Sequence, residues 1–185
     1  MALVVLSLAG AACRQDMHDQ PKYSPLEQSS FFADRRSARP VIPGTVARGQ
    51  LRDDALLYAG RTEDDGPATS FPFPIDGARM ERGQDTFNAF CSPCHGRTGD
   101  GDGLVVQRGY QRPPSLHEER VRTVPLGHLF DVITNGFGAM PDHAAQIKPE
   151  DRWAIVAYVQ ALQLSRSATI DDVPAAERRK LEEQR

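Results

Sequence analysis

The chain has 185 residues, enough for one domain of ordinary size with additional segments around it. Hydrophobic residues make up 39% of it, and 15 glycines and 14 prolines interrupt regular structure, so we expect a small core with long irregular stretches. The net charge of −3 lacks the basic excess of a nucleic-acid-binding protein. No internal stretch approaches the roughly 20 apolar residues that span a membrane.

The first residues predict an export signal. An apolar run over residues 2–12 ends in small residues and stops at Cys13, after which the chain becomes polar. This pattern is typical of a bacterial lipoprotein signal, so we expect residues 1–12 to be removed and Cys13 to carry a lipid anchor. Two features depart from the pattern: Gly10 precedes the cysteine by three residues, and no Lys or Arg precedes the apolar run. The alternative is a cleaved secretory signal that leaves Cys13 as a free thiol.

Residues 13–76 show no helical or strand period that persists beyond a turn or two, and a short helix is expected only within 50–60. One interpretation is a disordered tether between the lipid and the domain. The other is an extended, lipid-anchored arm that lies on partner subunits. The second is favoured because pure tethers seldom keep aromatic and aliphatic side chains. Those of the arm are Phe31, Phe32, Val41, Ile42 and Tyr58.

The helical patterns over residues 77–165 predict a compact helical domain. Apolar and small residues that recur at spacings of three and four predict a first helix over Ala78–Phe90. A middle helix is expected over Leu126–Thr134, and the last domain helix begins near Pro149, where proline and acidic residues suit a first turn. The charged tail, 166–185, predicts one short exposed helix.

The first predicted helix runs directly into Cys91-Ser92-Pro93-Cys94-His95, a C-x-x-C-H motif. Two thiols at this spacing reach the two vinyl groups of one porphyrin edge and form thioethers, and the adjacent imidazole then supplies an axial ligand to the iron. The motif predicts one covalent haem c, attached through Cys91 and Cys94 and ligated by His95.

Two other interpretations of this motif are a zinc half-site and a redox dithiol. A zinc half-site needs a second Cys/His pair at comparable spacing, and no further cysteine remains in the domain to provide it. A redox C-x-x-C is expected near a βαβ pattern, which is absent from this sequence.

Met140 is the predicted second axial ligand. It lies in a Gly-rich turn, Asn135–Pro141, and its thioether is a soft donor that raises the reduction potential. The main rival is His143, which gives a bis-His site of lower potential, and His117 and His128 are weaker rivals. Separately, the rigid Pro114 carbonyl is a candidate acceptor for the free ring N–H of His95, although Pro114 also suits a simple turn.

Several residues recur in a recognisable order over residues 77–164. They are Gly83, Phe87, Cys91, Cys94, His95, Gly96, Pro114, Leu116, Met140, Pro141, Trp153 and Tyr158. The order resembles that of the class I cytochromes c. The resemblance implies an all-α fold of three to four helices around one haem. It also implies that the first and last helices cross where Gly83 and Phe87 meet Ile155 and Tyr158.

The N-terminal arm resembles a more specific family. The segments 17–23, 31–40 and 71–74, the last leading into Arg82-Gly83-Gln84, are similar to those of the monohaem cytochrome c subunit of bacterial alternative complex III, a quinol:electron-acceptor oxidoreductase. The resemblance implies a lipid anchor at the periplasmic face of the inner membrane and contact with multihaem cytochrome and iron–sulfur subunits. It implies electron transfer towards a terminal oxidase or a soluble cytochrome.

An independent electron carrier and a haem enzyme or sensor are the two alternative functions. An independent lipid-tethered or soluble periplasmic electron carrier needs the same haem site but no docking arm. An enzyme such as a small peroxidase, or a haem sensor, needs an exchangeable sixth position on the iron, and a Met140 ligand argues against it. We therefore expect an electron-transfer protein without enzymatic activity of its own.

Overall fold

The computed structural model describes residues 17–183, with the backbone alone at 176, 182 and 183. The predicted signal at 1–12 and the predicted lipid site at Cys13 lie outside the described residues. The chain divides into two compact units, one ending at Leu51 and the other beginning at Arg52. Within residues 17–183, no helix has both the length and the apolar character needed to cross a membrane.

The described part of the first unit, residues 17–51, consists of turns and bends and contains no helix. An isolated antiparallel bridge pairs Gln28 with Arg36. The Arg39 guanidinium lies 4.0 Å from the centre of the Phe32 ring, within the range of a cation–π contact. Local contacts therefore order this part of the predicted arm.

The second unit is helical. Its helices, in chain order, are α1 (Ala55–Ala59), α2 (Gly77–Phe90), α3 (Ser92–His95), α4 (Glu119–Arg122), α5 (Leu126–Asn135), α6 (Pro149–Ser167) and α7 (Ala175–Glu183), with short 3-10 turns at Val106–Arg108 and Ile170–Asp172. The β pairing within residues 17–183 is limited to three isolated bridges. The expected all-α class is confirmed, and the observed bounds of α2, α5 and α6 agree closely with the predicted helices.

Helices α2 and α6 cross at a glycine. A Cβ atom on Gly83 would overlap the carbonyl oxygen of Ala154 and would lie 3.2 Å from the Cβ of Tyr158, so only glycine permits this approach. One turn further along α2, the ring of Phe87 packs edge-on against Tyr158 with a centroid distance of 5.4 Å. The predicted contact with Tyr158 is confirmed. Gly83 also packs against the carbonyl of Ala154, the residue before the expected Ile155.

Trp153 is the fully buried centre of the core. Its ring stacks on Phe130 of α5 at 4.7 Å and packs edge-on against Phe71 at 5.9 Å. Its indole N–H donates to the Leu57 carbonyl at 3.0 Å. The segment that begins at Arg52 therefore belongs to the compact unit, whereas the sequence placed the start of the domain at Gly77.

Candidate haem site

Helix α2 leads directly into the attachment motif. The Cys91 N–H still bonds to the Phe87 carbonyl at 2.8 Å, and the Cys91 carbonyl then accepts from the N–H groups of Cys94 at 3.2 Å and His95 at 2.9 Å. Pro93 suits this short turn because the first N–H groups of a helix have no partner within it. The structure thus brings both cysteines and His95 onto one helical turn.

Both thiols of the motif are free in the structure. Cys91 is buried, and burial, followed by the neighbouring Cys94, raises its pKa to about 12. A redox-active dithiol depends on a thiolate of depressed pKa, so the environment of Cys91 is the opposite of what that chemistry needs.

The ring of His95 is held largely away from solvent. Burial, followed by the electrostatic interaction with His143, lowers the pKa of His95, and this favours the neutral imidazole that binds a metal ion. The Nδ1 atom of His95 is buried and has no hydrogen-bond partner in the structure. Pro114 is exposed, and the predicted hydrogen bond between the two residues is not observed.

The glycine loop, residues 96–103, folds back over the attachment turn. The carbonyl of His95 accepts from the Gly101 N–H at 2.8 Å, and the carbonyl of Cys94 accepts from the Gly103 N–H at 3.1 Å. A Cβ atom on Gly103 would overlap the Pro93 carbonyl oxygen. The loop therefore satisfies carbonyls at the end of α3 that a helix leaves without partners.

Met140 lies in a tight turn that follows α5. The N–H of Phe137 donates to the Met140 carbonyl at 3.1 Å, and the N–H of Met140 donates to the Phe137 carbonyl at 3.0 Å. A Cβ atom on Gly136 would lie 2.6 Å from the Met140 carbonyl oxygen, so a glycine is required there. The half-buried Met140 side chain packs against the core cluster that includes Cys91.

The rival ligands occupy different settings. His143 donates its backbone N–H to the Ile133 carbonyl at 3.0 Å and interacts electrostatically with His95, so it lies in the same region. His117 is engaged through Nε2 with the Thr98 carbonyl at 2.7 Å, and His128 is exposed on α5. Met140 and His143 are therefore the two main candidates for the second ligand to the iron.

The donor set fits a c-type haem. The two thiols occupy one turn, the adjacent imidazole favours its neutral form, and a thioether sits on the same core. No group of three or more His, Cys, Asp or Glu side chains suited to a metal ion occurs among residues 17–183.

The sequence analysis missed the part that Asp100 plays. Its carboxylate pairs with Arg166 in α6, at 2.5 and 2.6 Å, and accepts from the Thr98 hydroxyl at 2.6 Å. An acidic residue between two glycines just after the motif was the available signal. Its partner, 66 positions away, could not be read from local spacing.

Comparison with protein families supports this description of the site. Residues 78–159 match the family model described as cytochrome c oxidase, cbb3-type, subunit III. The matched segment contains the attachment motif and Met140, and it supports a class I cytochrome c domain that carries haem c. No curated protein matches the chain.

Proposed function

We propose that this chain transfers electrons through a single covalently bound haem c, as a subunit of a membrane quinol:electron-acceptor oxidoreductase that passes electrons towards a terminal oxidase. The match of residues 78–159 to a cytochrome c family model supports haem-based electron transfer. The observation that carries the proposal is the single turn that presents Cys91, Cys94 and His95 against the core on which Met140 also packs.

Each residue of the site has a distinct part. The bound haem supplies one-electron exchange between ferric and ferrous iron. Cys91 and Cys94 would anchor it covalently, and the neutral imidazole of His95 would bind its iron. Met140, held by its reciprocal hydrogen bonds with Phe137, would supply a second, soft ligand to the iron. A methionine ligand raises the reduction potential, which suits an acceptor of electrons from quinol-level donors.

We propose that the chain is an electron carrier and not itself an enzyme. Peroxidase chemistry and gas sensing need an open or exchangeable position on the iron. A Met140 ligand in a short turn closed by two backbone hydrogen bonds would fill that position. Carbon monoxide binding to the reduced protein is the check: rapid, complete binding would argue for an open site.

Covalent haem attachment is tested directly in the exported, mature protein. We expect haem peroxidase staining of denaturing gels and an intact mass increased by one haem. Cys91→Ala or Cys94→Ala should each leave one thioether at most, and the double replacement should abolish the covalent mass increase. Wild-type protein without covalent haem would refute the proposed function.

Membership of a complex rests on the resemblance of the arm and on its exposed apolar residues, such as Phe31 with 82% of its surface accessible. Deletion of residues 14–51 is the appropriate test. A deletion that extended to residue 74 would also remove Leu57 and Phe71, which contact Trp153. We expect the shortened protein to keep its haem spectrum and to be lost from the complex.

The second candidate is an independent periplasmic carrier, favoured by the fact that the whole haem motif lies within one compact unit. The polypeptides that co-purify from detergent-solubilised membranes distinguish the two. Cys13→Ser tests the proposed lipid anchor at the periplasmic face of the inner membrane separately. If neither Cys13→Ser nor the deletion of residues 14–51 alters membrane association or co-purification, the proposed lipid anchor and the proposed docking role of the arm are both wrong.

A further inference from the structure

We propose that Asp100, held by Arg166, is a positioning residue for the iron ligand His95 and acts through the glycine loop that follows the attachment turn. The inference rests on the proposed function, because it concerns the ligand of the haem. It goes beyond that function by assigning a part in tuning the redox centre to an ion pair outside the motif.

Asp100 is the point at which the glycine loop is fixed. Its carboxylate receives two parallel hydrogen bonds from the Arg166 guanidinium, at 2.5 and 2.6 Å, and one from the Thr98 hydroxyl at 2.6 Å. Its backbone carbonyl accepts from the Arg112 guanidinium at 2.9 Å. Paired, charge-assisted bonds of this kind fix geometry as well as adding attraction.

The next residue transmits that position to the ligand. The N–H of Gly101 donates to the His95 carbonyl at 2.8 Å, so a displacement of Asp100 displaces the group that holds the ligand backbone. Gly101 has a φ of 76°, and a Cβ atom there would overlap the Pro113 carbonyl oxygen. The loop is thus packed on both sides and has little freedom to absorb such a displacement.

The imidazole of His95 has no side-chain hydrogen bond at Nδ1 to orient it, which makes the backbone of its turn important. A metal-bound histidine is usually oriented by a bond at that second nitrogen. The position of the turn and the packing around the ring are therefore left to orient it. The glycine loop closes that turn at the carbonyls of Cys94 and His95.

Two variants of the haem-loaded mature protein separate positioning from charge. Loss of a negative charge by Asp100→Asn favours the reduced iron, and loss of a positive charge by Arg166→Gln favours the oxidised iron. If the pair acted by charge alone, the two midpoint potentials would shift in opposite directions. Positioning predicts shifts in the same direction and a broadened low-spin ferric EPR signal in both variants.

A neutral variant keeps the test decisive if either charged variant fails to fold. Thr98→Val removes the hydroxyl bond to Asp100 without changing any charge. We expect a smaller shift of the midpoint potential in the same direction. Thr123→Val is its matched control, because the Thr123 hydroxyl also makes one bond, to the Glu119 carbonyl in a separate short helix.

The ion pair between Arg82 and Asp151 is the control for general destabilisation. It also joins two elements through two parallel hydrogen bonds, at 2.9 and 2.7 Å, but it does not touch the glycine loop. Arg82→Gln should lower thermal stability and leave the EPR signal unchanged, and any shift of its midpoint potential measures the effect of losing one positive charge outside the glycine loop. Opposite shifts in the two charged variants, or no shift beyond the Arg82→Gln control, would overturn the proposal. Haem staining of every variant keeps this result separate from failure of haem attachment.

Discussion

The indole N–H of Trp153 donates to the backbone carbonyl of Leu57, 96 positions earlier in the chain, at a distance of 3.0 Å. This bond fastens the segment before the haem domain to the last domain helix. The segment carries no part of the attachment motif, yet it supplies an acceptor to the largest fully buried side chain of the core.

Trp153→Phe tests that bond. Phenylalanine keeps an aromatic ring against Phe130 but leaves the Leu57 carbonyl without its donor, and an unsatisfied buried polar group costs about 1–3 kcal/mol. We expect the free energy of unfolding, from urea titration of the haem-loaded protein, to fall by that amount. Tyr110→Phe, at a site with 73% of its surface exposed, should change it by less than about 0.5 kcal/mol. Equal effects of the two changes would contradict the prediction.

Gly83→Ala tests the helix crossing. The added Cβ would overlap the Ala154 carbonyl oxygen, so α2 and α6 must move apart, and overpacking of this kind costs about 1–3 kcal/mol. Gly77→Ala is the matched control in the same helix, because a Cβ there meets nothing within 4 Å. We expect thermal unfolding to begin at a lower temperature for Gly83→Ala alone. A stable Gly83→Ala protein with normal haem content would show that the crossing adapts.

Met140→Leu tests the sixth ligand. Leucine fills similar volume without the sulfur, so we expect loss of the weak absorbance band near the red edge of the visible spectrum in oxidised protein. The reduction potential should also fall, because the methionine ligand raises it. His143→Ala should leave the band in place. If the band survives Met140→Leu, or if His143→Ala changes the axial ligand, the assignment passes to another residue.

The Arg82–Asp151 pair predicts a pH dependence of stability. Hydrogen bonding to Arg82, opposed in part by burial, holds the pKa of Asp151 below its ordinary value of 3.8. A carboxyl with a depressed pKa in the folded state stabilises the fold above its unfolded pKa, and this contribution is lost as the pH falls through the folded value. The coupling free energy from an Arg82→Gln and Asp151→Asn double-mutant cycle should therefore be present at neutral pH. It should disappear at a pH below the folded pKa, and a coupling that is unchanged there would contradict the assignment.

The sequence by itself was enough to recognise the haem-attachment residues and to place the main helices of the domain. The attachment residues are adjacent in the chain, so Cys91, Cys94 and His95 could be recognised without a fold. The bounds of α2, α5 and α6 agree with the local periodicity and with a helix that starts near Pro149. Such signals act over a few residues, and their physical cause lies in the backbone hydrogen bonds of single turns.

Only the tertiary structure decided which distant groups meet. It placed the start of the compact unit at Arg52, set Ala154 against Gly83, and joined Asp100 to Arg166. Each of these features depends on the path of the chain through the core, which brings together residues that are far apart in the sequence. The sequence indicates which residues are apolar or charged. Which of them contact each other depends on the three-dimensional fold.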